Sequence, residues 1–171
     1  MPEGTIKEVK LAPIRNGTVI DHITCGQALN VMKILGVNEN NIDSSISIGM
    51  HVISAKTTEW KDIIKIEDRE LDSKTVDKIA LIAPDATISI IRDFYVAEKF
   101  TVRLEDHVVG LARCSNPNCI TNRGEPVSPE FNVISRHPPQ LLPGAGHPGD
   151  QQDPHSDHSR LSEMFISILS Q

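Results

Sequence analysis

Cysteine is scarce in this chain and unevenly placed. Among 171 residues there are three, with Cys25 alone and Cys114 and Cys119 separated by four residues in Arg-Cys-Ser-Asn-Pro-Asn-Cys-Ile. No cysteine follows Cys119, so the second pair that would close a four-ligand structural zinc site is missing. Three thiols do not make a disulfide framework; the close pair reads as metal-binding, with free thiols as the alternative. Aromatic residues are only 4% of the chain, and Lys and Arg (17) fall short of Asp and Glu (23), giving a net charge of -6. A nucleic-acid surface, which needs clustered cations interleaved with aromatics, is therefore not expected. No apolar run approaches the roughly 20 residues that cross a bilayer, and no basic segment followed by an apolar run opens the chain, so no membrane association is expected and the location reads as cytoplasmic. Neither common glycine-rich phosphate loop is present. A nucleotide would have to be held by side chains and strand backbone.

What is present is a patterned segment from Gly17 to about Lys99. Thr18 to Ile23 is β-branched and strand-like, and Gln27 to Leu35 places Leu29, Met32 and Leu35 at helical spacing before Gly36 as a stop. Ser45 to Ile53 alternates Ile46, Ile48, Met50 and Val52 on one face, and after a polar turn at 56–59 the Ile-rich run Asp62 to Glu67 completes a hairpin. A second helix starts near Asp72 or Ser73, carries Val76, Ile79, Ala80 and Ile82 inward and ends before Pro84. Ala86 to Ile91 resumes as a strand, and Phe94 to Lys99 adds an edge strand. The fold class is α+β: a ferredoxin-like β-α-β-β-α-β domain with both helices on one face of an antiparallel sheet, followed by a small antiparallel β zinc-ribbon-like domain that is incomplete. The expected divisions are 1–104, 105–136 and 137–171, the last rich in Pro, Gly, His and Gln and without strand or helix period apart from a short amphipathic stretch at Leu161 to Leu169.

Several residues carry chemistry. Asp21 and His22 are an acid and an imidazole side by side, but strand alternation sends them to opposite faces, which argues against an enzyme built on this pair. Lys65 lies in Ile63-Ile64-Lys65-Ile66 and Lys99 ends the last strand; each is an ordinary surface lysine unless the fold gathers Lys65, Lys99 and His22 into an anion site. His137, His147, His155 and His158 could supply nitrogen ligands to Cys114 and Cys119, but their spacing and the ordering cost of the tail, about 1 to 2 kcal/mol per residue, weigh against it.

Four ordered blocks, Arg15-Asn-Gly-Thr-Val-Ile-Asp-His-Ile23, Lys61-Asp-Ile-Ile-Lys-Ile-Glu67, Ala83-Pro-Asp-Ala-Thr87 and Cys114-Ser-Asn-Pro-Asn-Cys-Ile120 followed by Glu125-Pro-Val, together resemble the aspartate carbamoyltransferase regulatory chain over about residues 5–136. The resemblance implies a non-catalytic subunit of pyrimidine biosynthesis. Its first domain would bind nucleotide effectors, ATP as activator and CTP, aided by UTP in some members, as inhibitor. Its zinc domain would dock on the catalytic chain, and a second regulatory chain would complete a dimer. Carried onto this sequence, Asp21 and Lys65 would contact the ribose region, His22 and Lys99 the phosphates, and Ile14 and Phe94 the base. Val19, Ile63, Ile91 and Val96 would shape the pocket. Phe94 stands where the best-known members have tyrosine, and Ser89 where they have asparagine. Cys114 and Cys119 would be zinc ligands. The family's second cysteine pair is absent after Phe131 to Ile134, and the change of character after Arg136 suggests a shift of reading frame. Translation of the coding DNA beyond that codon in the other two frames should then yield a Cys-X2-Cys. A zinc-ribbon nucleic-acid-binding accessory protein is the alternative, disfavoured by the acidic balance.

Overall fold

The computed structural model describes residues 11–37, 43–54, 59–113, 120–123 and 126–143. Seven elements come first in the chain: β1 (Gly17–Ile23), α1 (Ala28–Ile34), β2 (Ile46–Ile53), β3 (Trp60–Glu67), α2 (Ser73–Ala80), β4 (Thr87–Arg92) and β5 (Tyr95–Thr101). Their strands form one antiparallel sheet in the order β2-β3-β1-β4-β5, so the ferredoxin-like arrangement gains one edge strand as the sequence pattern anticipates. The polar turn expected at 56–59 lies largely outside the described residues.

The sheet's two faces are chemically distinct because strand side chains alternate. Ile20, Ile64, Ile66, Ile88 and Ile90 point to the helical side and join Ala28, Val31, Leu35, Ile79 and Ala80 in the core. Asp72 caps α2 by accepting the Thr75 backbone N–H at 2.7 Å, and Gly36 ends the turn after α1 at φ +67. One face assignment differs from the sequence reading. In α1 the residues turned inward are Ala28, Val31 and Leu35, with Met32 partly buried, whereas Leu29 is 57% exposed. The stripe that faces the sheet is thus Ala28, Val31 and Leu35, one helical turn apart, rather than the one through Leu29. Gly17 marks another close approach: at φ +130, a Cβ there would meet the Ile66 carbonyl oxygen at 2.0 Å.

A second sheet follows, with β6 (His107–Val109), β7 (Glu130–Arg136) and β8 (Pro139–Pro143) in the order β6-β7-β8. Strand β8 lies within the segment 137–171, which was expected to lack regular structure. Two prolines hide the strand in the sequence, yet Leu141 is buried opposite Val133, and the central Phe131 is fully buried. Residues 144–171, including the expected helical stretch at 161–169, are outside the described residues. Val102, Leu104, Val108, Ala112, Phe131 and Leu141 belong to the same hydrophobic cluster as the helices and the large sheet, so the core is continuous across residue 104. Arg136 adds an ion pair to Asp106 and hydrogen bonds to the Leu104 carbonyl. Among the described residues no helix is long and apolar enough to cross a membrane.

Candidate functional site

The face of the large sheet opposite the helices collects the chemistry. Ser47 pairs with Lys65, Lys65 with Val19, Val19 with Ser89, and Ser89 with Lys99, so one cross-strand row runs over all five strands. Residues directly opposite in a ladder share a face. The row therefore carries an amine on β3 and another on β5, three strand spacings or about 14 Å apart along the backbone. Asp21 and Ile63 lie on the same face beside this row, as does Ile91, which pairs with Gly17 and Val96.

Bulges decide who reaches this face. Ile90 pairs with Glu98 but Ile91 with Val96, so one extra residue in β5 puts both Val96 and Lys99 opposite open-face partners although they are three positions apart. In β1 the register slips between Ile20 and Ile23, which are both fully buried, and His22 adopts φ +56. Asp21 and His22 consequently both lie off the core. The expectation that they point to opposite faces is overturned by this bulge: His22 Nδ1 is 3.4 Å from Asp21 Oδ2, and the His22 backbone N–H donates to Asp21 Oδ1 at 2.8 Å. The pair sits at the end of the strand remote from Gly17.

Electrostatics link these groups. The Lys61 ammonium is 2.7 Å from Asp21 Oδ1. Lys65 donates to the Leu11 and Ala12 carbonyls at 3.0 and 2.8 Å. Burial pushes the Lys65 amine below its ordinary value, against the opposing pull of the Asp21 charge. Lys99 lies on a strand exposed along its whole length and has no ion pair among the described residues. The segment before β1 is tied at its other end to the β4–β5 turn, where the Phe94 N–H donates to the Arg15 carbonyl at 2.9 Å and the Arg15 guanidinium pairs with Asp93 at 3.1 Å. That turn takes positive φ at both Asp93 and Phe94, the geometry of a type I′ hairpin, and leaves the Phe94 ring 62% exposed. Ile14 and Ile91 are buried but stand outside the main core cluster.

The fold thus brings together Val19, Asp21, Ile63, Lys65, Ser89, Ile91, Val96 and Lys99 on one face, with Ile14 and Phe94 in the segment and turn at one end and His22 at the other. Sequence reasoning missed Lys61 and Ser47 as members of this face; the signal was available for Lys61, which alternates with Ile63 and Lys65. Cys114 and Cys119 lie outside the described residues. Among the described residues no group of three or more His, Cys, Asp or Glu side chains is arranged to hold a metal.

Residues 9–103 match the family described as aspartate carbamoyltransferase regulatory chain, allosteric domain, and residues 106–142 match its metal binding domain. The second match ends within β8, one residue before its last and six beyond the break expected at Arg136. Relatives named aspartate carbamoyltransferase regulatory chain include one from Thermoplasma volcanium, 52% identical over 132 residues that span 77% of this chain and 86% of the relative. Another, from Methanothrix thermoacetophila, is 53% identical over 132 residues, with 77% and 84% covered. With both domain matches in chain order on a two-sheet α+β fold, the chain belongs to the aspartate carbamoyltransferase regulatory chain family, and it is a regulatory rather than a catalytic chain.

Proposed function

We propose that this chain binds a nucleotide effector, ATP or CTP, on the helix-free face of its large sheet and thereby controls an aspartate carbamoyltransferase catalytic chain. The observation that carries the reading is the row Lys65, Val19, Ser89, Lys99. An amine at each end with an apolar and a small polar residue between them suits a ligand with a neutral ribose region and a charged phosphate tail. Lys65 and Asp21 take the ribose region, Lys99 and His22 the phosphates, and Ile14 and Phe94 flank the base, with Val19, Ile63, Ile91 and Val96 beneath. Ser89, 8% exposed and smaller than the asparagine of better-known members, leaves more room there.

Control requires unequal affinity of the effector for two states of the assembly, typically about 1 to 3 kcal/mol of coupling. The second domain is the part assigned to the catalytic chain. A second regulatory chain has an edge available at β2, where Ile48 and Met50 are exposed. Zinc held by Cys114 and Cys119 would cross-link the loop in place of a core. These two thiols are half of a closed tetrahedral set, however, and the chain contains no second cysteine pair. The donor set does not fit a complete structural site, and no step is assigned to the metal.

Equilibrium dialysis of the full chain against labelled ATP and CTP tests the reading. Saturable binding of one nucleotide per chain, competed by the other, is expected; absence of binding by folded protein would overturn it.

A further inference from the structure

The bulges of β1 and β2 lie on either side of β3, whose fully buried carboxylate Asp62 joins them. Asp62 on β3 accepts backbone N–H bonds from Gly26 at 2.8 Å, Ala28 at 3.0 Å and His51 at 2.8 Å. A bulge leaves a ladder N–H unpaired, and here one acid satisfies the donor at His51 together with two donors of the turn after β1. The consequence is a meeting of side chains: Cys25 Sγ stands 3.0 Å from His51 Nδ1. The imidazole is stacked on the Trp60 indole, with centroids 4.1 Å apart and planes inclined by 8°. The thiol is exposed.

A cavity of about 380 Å³ opens beside this pair, lined by Cys25, His22, Glu59, Trp60, Lys61 and Asp85 among others. Part of its polar wall is already paired, Lys61 with Asp21 at 2.7 Å and Asp85 with His137 at 3.3 Å, and part is open. His22 Nδ1 is buried without a hydrogen-bond partner in good geometry, and Glu59 makes no side-chain ion pair among the described residues. Charges of both signs thus line the cavity, with Glu59 the acid left without an ion pair among the described residues, and such a lining suits a small ligand that itself carries both signs.

The geometry points to Cys25 as a site of reversible thiol–disulfide exchange with a small zwitterionic peptide disulfide, His51 serving as proton acceptor. The Cys25 thiol gives its proton to His51 Nδ1 and its sulfur attacks one sulfur of the disulfide. The disulfide's S–S bond breaks as the Cys25–sulfur bond forms, and the departing thiolate takes the proton back from the imidazolium. Cys25 is oxidised, the released half is reduced, and no further oxidant is needed. The proposal is independent of nucleotide binding.

The test exposes the full chain to oxidised glutathione, quenches at intervals and quantifies the adduct on the Cys25 peptide by mass spectrometry, which separates it from Cys114 and Cys119. Native protein is expected to form the Cys25 adduct about tenfold or more faster than His51→Phe, while the urea-unfolded forms of both react alike. Trp60→Ala, which keeps the imidazole but frees it, should fall between. Equal native rates in the wild type and a folded His51→Phe would overturn the proposal. So would a Cys25 that reacts no faster in the folded wild type than in the unfolded chain, a comparison that holds even if the variant fails to fold.

Discussion

Lys99→Ala offers the sharpest test of where phosphates sit. Lys99 ends the cross-strand row on an exposed strand and has no ion pair among the described residues, so its removal should spare the fold and delete one positive charge. A cation 4 Å from a phosphate charge is attracted by about 1 kcal/mol in bulk water and about 4 kcal/mol at the effective dielectric of a protein surface. Exposure places Lys99 near the lower figure, about 1 to 2 kcal/mol, or about 5- to 30-fold in Kd. Isothermal titration calorimetry of the full chain with ATP should show that loss at about 0.1 M salt and a smaller one as salt rises, because screening weakens exposed pairs. Adenosine, without phosphates, should bind wild type and variant alike. Lys65→Ala supplies a contrast: its ammonium anchors the Leu11 and Ala12 carbonyls, so that variant should lose thermal stability as well as affinity. If wild type binds ATP and Lys99→Ala binds it equally well, the phosphates do not lie at that end of the row.

Gly17→Ala should be among the costliest single changes, about 3 kcal/mol or more by urea unfolding, because φ +130 and a backbone oxygen 2.0 Å from the new Cβ both oppose it; a loss under about 1 kcal/mol would show that β1 can shift. The Thr75 backbone N–H holds the Asp72 carboxyl below its ordinary value of 3.8, so the ionised cap stabilises α2 above that pH and its contribution is lost as pH falls through the lowered value. Thermal unfolding should accordingly favour wild type over Asp72→Asn at neutral pH and show the difference closing in acid; a gap independent of pH would refute the charge argument. Co-expressed with an aspartate carbamoyltransferase catalytic chain, this chain should retain less than one zinc and associate weakly, and stoichiometric zinc with a stable complex would refute the reading of a half-complete metal site.

Much of the fold was legible because apolar periodicity marks each element: Ile64 and Ile66 against Ile63 and Lys65 define the faces of β3, and Asp72 and Gly36 mark helix ends. The exceptions share a cause. Alternation counts residues, and a bulge adds one without any composition signal, so neither the common face of Val96 and Lys99 nor the approach of His22 to Asp21 can be read from spacing. The Cys25–His51 meeting was invisible for the same reason, since it depends on where Asp62 draws two backbones. Leu29 was misplaced because two apolar stripes, Leu29-Met32 and Ala28-Val31-Leu35, overlap on one short helix and spacing alone does not choose between them, and β8 because prolines mask a strand whose order comes from pairing with β7.

The unbroken core across residue 104 makes the two halves a single cooperative unit. With Phe131 and Leu141 in the cluster that also contains Ile79 and Ile88, loss of the small sheet would remove part of the packing that the large domain's core relies on. Anything that binds the folded small sheet would thereby add its binding free energy to the stability of the helix-free face of the large one. A substitution that unpacks Phe131 or Leu141 would weaken that face by the same route.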